Sequence, residues 1–372
     1  CTASSLHVGS LLQIMILKLM QKYGHQPIVL LGGGTTLIGD PSGKDSTRKI
    51  IEQIEIKNNI KSIKKVFNKI LDTTNKNTSP VFVDNADWLT KLNYIQFLRD
   101  TGSHFTINKM LTFDSVKLRL DREQSLSYME FNYMILQAYD FYQLFKKNNC
   151  ILQIGGSDQW GNIVNGVDLI RRKLQKQAYG LTSPLITLAS GAKMGKTEKG
   201  AIWLNEDKLS SYDYWQFWRN TDDRDVKRFL YFFTEIQPQE LIEIISKEKN
   251  INNLKILLAN EATKILHGEV ASKKAEKTAK NTFEGGGLSS GLPEIKVKFN
   301  EVEKGINILD FISNKKILSS KSEARRLIAN KGLRINGAII EDEKKVIQLK
   351  DFKNNVFKLS YGKKKHYLVK II

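Results

Sequence analysis

Five short stretches carry residue types and spacings that could do chemistry. SLHVGS, Ser5 to Ser10, sets His7 and Ser10 three apart at the start of an apolar run. A helix N-terminus attracts anions, and a histidine there can donate to a phosphate; the same residues would also serve as a cap beside a partly buried histidine. GDPSGKD, Gly39 to Asp45, imitates a P-loop and fails: three residues rather than four separate Gly39 from Gly43, and Asp45 stands where Ser or Thr would bind magnesium. GGGTTLIG likewise misses the dinucleotide fingerprint at its last glycine. What remains is a polar loop carrying Lys44 and Arg48. In FNYMILQAYDF, Tyr133, Gln137 and Asp140 fall at i, i+4 and i+7 among apolar neighbours, which is one helix face. A buried polar stripe must be satisfied, by an internal hydrogen-bond network or by a small polar ligand. LQIGGSDQWGN leaves a buried strand through Gly155-Gly156 and at once presents Asp158 and Gln159. It reads either as a helix start capped by aspartate or as a ligand crevice at a strand's carboxyl end. GAKMGKTEKG places Lys193 and Lys196 in a short polar loop on either side of a glycine.

The elements around these stretches alternate. Residues 5–23 are apolar almost all round and stop at Gly24, which predicts a buried helix. PIVLLGG predicts a buried parallel strand, residues 48–71 a basic exposed helix, and VFVDNADWL a strand and turn. Residues 125–147 predict a long apolar helix, CILQIGG a strand, Ile163 to Lys176 a helix, and PLITLA another strand. Such alternation implies a parallel sheet covered on both faces. From Ser210 the pattern turns helical. FEGGGLSSGLPE has a linker's composition, and a small basic α+β unit follows.

Composition bounds the partners. The chain has 372 residues, 41% hydrophobic and 26% charged, room for two or three domains. No apolar run approaches a membrane span. Cys1 and Cys150 give neither a disulfide framework nor metal-ligand spacing. A net charge of +19 suggests a polyanionic partner, nucleic acid first, although the chain is rich in lysine throughout. Residues 286–372 hold 19 Lys and Arg against 9 Asp and Glu, about half of that excess.

Taken together, the stretches resemble one family. HVGS resembles the HIGH motif and KMGKT the KMSKS motif of class I aminoacyl-tRNA synthetases; GSDQWGN and YMILQAYD narrow this to the bacterial and organellar tyrosyl type, and the tail resembles an S-four-like RNA-binding domain. The resemblance implies an α/β fold: a Rossmann-like parallel-sheet catalytic domain at 1–208, a helical anticodon-binding domain at 209–283, a linker at 284–304 and a small α+β S-four-like domain at 305–372. By position, it implies that Thr2, His7, Gly9, Ser10, Lys193, Lys196 and Thr197 hold ATP. Lys44 and Arg48 would close over the leaving pyrophosphate, and Gly156 and Asp158 would bind the ribose. Asp40, Tyr133 and Gln137 would hold the tyrosine ammonium with Thr35 and Asn108 nearby, Gln159 would face its carboxyl group, and Asp140 would accept from its phenol. Arg325, Arg326, Lys331 and Arg334 would touch RNA.

The implied reaction consumes L-tyrosine and ATP with Mg2+, needs no protein-bound cofactor or resident metal, and charges tRNA(Tyr), in a homodimer of the bacterial cytoplasm or an organelle with no membrane contact. A carboxylate nucleophile is already ionised at neutral pH, so catalysis reduces to positioning and charge stabilisation. Ser10 departs from the second histidine of HIGH. The chain opens at Cys1 directly on a motif; the resemblance implies a preceding strand with a tyrosine that also contacts the phenol. Rival readings are a tryptophanyl synthetase, a small-molecule nucleotidyltransferase and an RNA-binding derivative inactive in charging.

Overall fold

A computed structural model describes residues 1–39, 51–197, 200–284, 292–315, 317–318, 320–362 and 365–372. The chain divides into two compact units, Cys1–Leu209 with Asp222–Lys247, and Ser210–Thr221 with Glu248–Ile372.

In the first unit the parallel pairing comes in two pieces. Strand β1 (Ile28–Leu31) runs parallel to β2 (Val81–Asp84), with Leu31 opposite Asp84. Strand β3 (Leu152–Gly156) runs parallel to β4 (Tyr179–Ser183), with Gly156 opposite Ser183. Parallel neighbours need a crossover, and each pair has a helix in it. Helix α1 (Leu11–Lys22) precedes β1, and α2 (Gln53–Ile70) joins β1 to β2. Helix α3 (Tyr133–Asn148) precedes β3, and α4 (Trp160–Leu174) joins β3 to β4. On α2 the apolar residues Ile56, Ile60, Ile63, Val66 and Ile70 recur at helical spacing, and all are buried. The last strand is YGLTS and not the expected PLITLA. Pro184 brings no N–H to a ladder, so the strand ends before it.

The expected helix over 125–147 is broken in two. Ser127 and Glu130 close a capping box on Tyr128–Phe131, and α3 starts two residues later. Glu130 also meets Arg119 at 3.1 Å, with side chains only 1% and 4% exposed. Burial opposes ionisation of Glu130, but hydrogen bonds from Ser127 and Arg119 outweigh it and hold the carboxyl below its ordinary value. Helix α3 packs on α4 through Ala138, Phe141, Leu169 and Ile170, and Gly166 gives Phe141 its room: a Cβ there would lie 2.9 Å from the ring.

The boundaries expected at 209 and 305 need correction. Helices Asp223–Phe233 and Pro238–Lys247 belong to the first unit. Asp225 accepts from the Ala189 N–H at 2.8 Å and pairs with Arg228, which donates to the Thr187 carbonyl at 2.6 Å. In the second unit, helices Ser211–Arg219, Ile251–His267 and Glu269–Glu284 bury Tyr214, Trp218, Leu258 and Ala262. Part of the expected linker is strand β5 (Glu294–Val297), where Ile295 and Val297 alternate with Glu294 and Lys296. It lies parallel to β9 (Lys365–Ile371) at one edge of a five-stranded sheet with β6 (Leu333–Ile335), β7 (Ala338–Ile339) and β8 (Val356–Tyr361), in the order β7-β6-β8-β9-β5. Helices Ile308–Asn314 and Lys321–Ala329 join it in one core around Phe311, Ile328, Phe357 and Val369.

The buried ion pair gives a stability prediction. Glu130→Ala strands the Arg119 guanidinium in the interior, and equilibrium urea unfolding should show a loss of about 3–5 kcal/mol. A loss within about 0.5 kcal/mol, the range of an ordinary surface change, would mean that the pair contributes nothing.

Candidate active site

One half of the candidate site is built where β1 and β2 end. The turn after β1, Gly32-Gly33-Gly34, is held by the two residues at the end of β2: the Gly33 N–H donates to Asp84 Oδ1 at 3.0 Å and the Gly34 N–H to Asn85 Oδ1 at 2.8 Å. Glycine is required there, because a Cβ on Gly33 would sit 2.2 Å from the Asp84 carboxylate. Asn85 then spends its amide hydrogens on Thr35 Oγ1 at 2.9 Å and Asp140 Oδ2 at 2.8 Å, and Trp88 Nε1 donates to Asp140 Oδ1 at 2.7 Å. Asp140 is 1% exposed. Burial pushes its carboxyl up to about 7; the bonds from Asn85 and Trp88 pull the other way, and the charge of Asp84 adds to the rise.

Asn85 and Trp88 do not stand out in the sequence. VDNADW, an apolar strand running straight into Asp, Asn and Trp, is the available signal. Asn108 needs correction. It is exposed on the short helix Ile107–Met110, whose inward residue is Met110, and it does not line the cavity. The amide beside Thr35 is that of Asn85.

A cavity of about 890 Å³ opens along Ile28–Leu31 and Leu152–Ile154 and is bordered by Thr2, Thr35, Tyr133, Gln137 and Asp140. Asp140 is satisfied internally, and Tyr133, Gln137 and Asp140 all border this space. Asn162, buried on α4, donates to Gln137 Oε1 and to Gln159 Oε1, each at 3.1 Å, and so fastens YMILQAYD to GSDQWGN.

At the end of β3 the glycines are again sites of close approach. A Cβ on Gly155 would lie 3.0 Å from Ile163 Cδ1, and one on Gly156 would lie 2.7 Å from Asp158 Oδ1 and 3.0 Å from Leu185 Cδ2. Asp158 is exposed at this rim. The N-cap of α4 is Gln159, and no side chain caps the helix. The capping reading of Asp158 is thus set aside.

The third wall joins distant segments. His7 caps the tight turn Val8–Ser10, its Nδ1 accepting from the Gly9 N–H at 3.1 Å. The Val8 N–H donates to the Ile202 carbonyl at 2.8 Å, and the Ile202 N–H to the Gly195 carbonyl at 3.2 Å. Lys196–Thr197 pairs antiparallel with Gly200–Ala201, which makes KMGKT one limb of a hairpin lying on HVGS. The approach is glycine against backbone: a Cβ on Gly9 would lie 2.5 Å from the Met194 carbonyl, and one on Gly195 2.5 Å from His7 Nδ1. Lys193 is exposed beside Met194, which is buried. Ser10 adjoins the turn, donating its N–H to the His7 carbonyl at 2.8 Å. Asp40, Lys44 and Arg48 lie outside the described residues, as do the side chains of Lys196 and Thr197.

In the second unit Arg325, Arg326, Lys331 and Arg334 are all exposed. Arg325 pairs with Glu343 and Lys331 with Glu341, each at 3.1 Å. Among the described residues Arg326 and Arg334 form no ion pair.

Strand–helix–strand units with loops at the strand ends beside an open cavity define a Rossmann-type α/β protein, the architecture whose strand-end crevices take ligands. Residues 1–284 match the family described as tRNA synthetases class I (W and Y), and residues 287–369 match the SYY-like C-terminal domain of tyrosine–tRNA ligases. The chain is 63% identical over 372 residues to the tyrosine–tRNA ligase of Pelagibacter ubique, covering all of this chain and 90% of that protein. It is 55% identical over 369 residues to that of Zymomonas mobilis, covering 99% and 88%. A C-terminally truncated mitochondrial tyrosyl-tRNA synthetase from Aspergillus nidulans superposes with a TM-score of 0.67 at 30% identity, over 76% of this chain and 83% of that one. The chain belongs to the class I tRNA synthetases, in the branch of the tyrosine–tRNA ligases.

Two predictions come from this geometry. Gly195 has φ +100° and no space for a side chain, so Gly195→Ala should lever the hairpin off His7. Adenylate formation should slow at least 10-fold while tyrosine binding, measured by calorimetry, is retained; an unchanged rate would mean that the contact is incidental. Asp140 supplies a pH dependence. A carboxyl raised from 3.8 to about 7 holds a proton in the folded state that the unfolded chain has released. Stability is therefore lost as pH rises from about 4 to 7 and stays lost above that. Asp140→Ala should therefore cost the unliganded protein more at pH 4 than at pH 8, by on the order of 1.4 kcal/mol for each tenfold change in proton affinity. Equal effects at both pH values in urea unfolding would refute the assignment.

Proposed function

We propose that this chain activates tyrosine with ATP and transfers it to tRNA(Tyr), with the labour divided between the cavity and the HVGS–KMGKT contact. The observation that carries the reading is the contact of HVGS with the KMGKT hairpin at one end of a site whose other end holds the buried Asp140. In the first step an oxygen of the tyrosine carboxylate bonds to the α-phosphorus of ATP, the bond to the bridging oxygen breaks, and pyrophosphate leaves. In the second, a hydroxyl of the terminal tRNA ribose attacks the activated carbonyl and AMP leaves.

His7, with Thr2, Gly9, Ser10, Lys193, Lys196 and Thr197, would face the phosphates, and Lys44 and Arg48 would close on the pyrophosphate. Gly156 and Asp158 would take the ribose. Leu185, half-exposed beside Gly156, would give the base an apolar rest. Tyr133 and Gln137 would bind the ammonium with Asp40, and Gln159 the carboxyl group. The phenol would donate to Asp140, each of whose oxygens carries a protein donor and has a lone pair to spare. Asn85 and Trp88 aim that carboxylate. Magnesium would arrive with ATP, held mainly by phosphate and water; among the described residues no three His, Cys, Asp or Glu side chains gather into a cage.

The basic module after the linker would bind RNA as an S-four-like domain, through Arg325, Arg326, Lys331 and Arg334. A homodimer is supported by exposed apolar surface: Tyr94, Ile95, Tyr128 and Met129 stand at the surface, and the Tyr94 and Tyr128 hydroxyls meet at 2.9 Å. The compartment proposed is a bacterial cytoplasm; among the described residues no helix is long and apolar enough to cross a membrane.

Exchange of pyrophosphate into ATP tests the reading. Tyrosine should stimulate it; stimulation by tryptophan instead would overturn the substrate assignment. Asp140→Ala should narrow the preference for tyrosine over phenylalanine by about 100-fold or more, because phenylalanine no longer strands a buried acceptor.

A further inference from the structure

The outer face of α2 has no part in the chemistry described so far. Lys57, Lys61, Lys65 and Lys69 recur every fourth residue, each one turn beyond the last on one side of the helix. The row is exposed, and it spans about 18 Å at 1.5 Å per residue. Like charges four apart oppose helix formation, and surface helices usually relieve them by interleaving acids. Here the only acid on the helix, Glu55, precedes the row. Lys69 reaches Glu206 at 3.7 Å. Among the described residues Lys57, Lys61 and Lys65 form no ion pair. The fifth lysine, Lys64, lies instead over the Phe82 ring, 5.5 Å from its centroid. The helix therefore carries, at Lys57, Lys61 and Lys65, a line of charge that its buried face of Ile56, Ile60, Ile63, Val66 and Ile70 does not require.

The place of α2 beside the nucleotide wall gives that line a direction. Asn205, just beyond the hairpin, donates to the Ser62 carbonyl at 3.2 Å and to its hydroxyl at 3.1 Å. The same Asn205 accepts from Ser5 Oγ at 2.6 Å, two residues before His7. Asn59 donates to the Cys1 carbonyl at 2.9 Å. One helix thus braces the segments that enter HVGS and leave KMGKT, and shows lysines on its other side. The transfer step must bring the 3′ end of a tRNA to this crevice, and its acceptor-arm phosphates must then pass over the surface beside it.

We propose that the row Lys57, Lys61, Lys65 and Lys69 binds the phosphate backbone of the tRNA acceptor arm during transfer. The proposal rests on the tRNA-charging reading and adds a contact in the first unit to those expected of the basic tail. The contact is to phosphates, so it sets affinity and salt dependence and carries no sequence preference.

The test is the full chain with Lys57→Gln, Lys61→Gln and Lys65→Gln together. Tyrosine-dependent pyrophosphate exchange should be unchanged, and the melting temperature unchanged or higher as repulsion is relieved. Affinity for tRNA(Tyr) should fall about 10-fold at 0.1 M salt, and the plot of log affinity against log salt should flatten by about 2–3. A hairpin of the acceptor arm alone should lose binding by the same factor, and the triple Lys→Arg variant should keep it. An unchanged salt slope would overturn the proposal, and so would a loss seen with whole tRNA but not with the hairpin. Were the unmodified chain to show no tyrosine-dependent exchange, the activity would be wrong, and hairpin binding would still decide whether the row holds RNA phosphate.

Discussion

One buried carboxylate organises the end of the cavity where β1, β2 and α3 meet. Asp140 sits in the interior, and its two oxygens draw Asn85 and Trp88 from the end of β2 onto α3. Asn85 then holds the turn after β1 through Gly34 and Thr35. A charge in that position is costly unless donors surround it, so the burial of Asp140 forces two strands and a helix into one arrangement. The carboxyl remains raised to about 7 even so, which leaves an unusually receptive acceptor beside an open cavity.

The other half depends on absence of bulk. Gly9 and Gly195 let the turn after His7 and the hairpin meet backbone to backbone. The polar side chains described there include His7, whose Nδ1 accepts from the Gly9 N–H, and the exposed Lys193. That suits a reaction whose nucleophile is already an anion and whose barrier lies in gathering charge at phosphorus. Asn162 ties α3 to the segment after β3, since a single amide nitrogen serves Gln137 and Gln159 at once.

The charge excess has more than one home. The tail holds much of it, but α2 shows that the first unit too carries cations its own packing does not use. A lysine-rich composition explains their number and leaves their fourfold spacing, with an acid partner described only for Lys69, unexplained. A polyanion that reaches both units accounts for both.

The alternation of strand and helix, the glycine punctuation and the polar stripe Tyr133–Gln137–Asp140 were legible in the sequence, because each follows from local periodicity or from a residue type with few conformational uses. What escaped the sequence were relations across distance. Asn85 and Trp88 look like a turn until Asp140, far along the chain, claims their hydrogens, and the place expected for Asn108 is one that Asn85 fills. The strand expected at PLITLA moved to YGLTS because a proline has no N–H for the ladder, and the boundaries at 209 and 305 shifted because Asp225 and β5 find partners far along the chain. Local chemistry thus determined which residues could act. Only tertiary contact decided which are neighbours, since burial and hydrogen-bond satisfaction are properties of the packed chain and not of any single stretch.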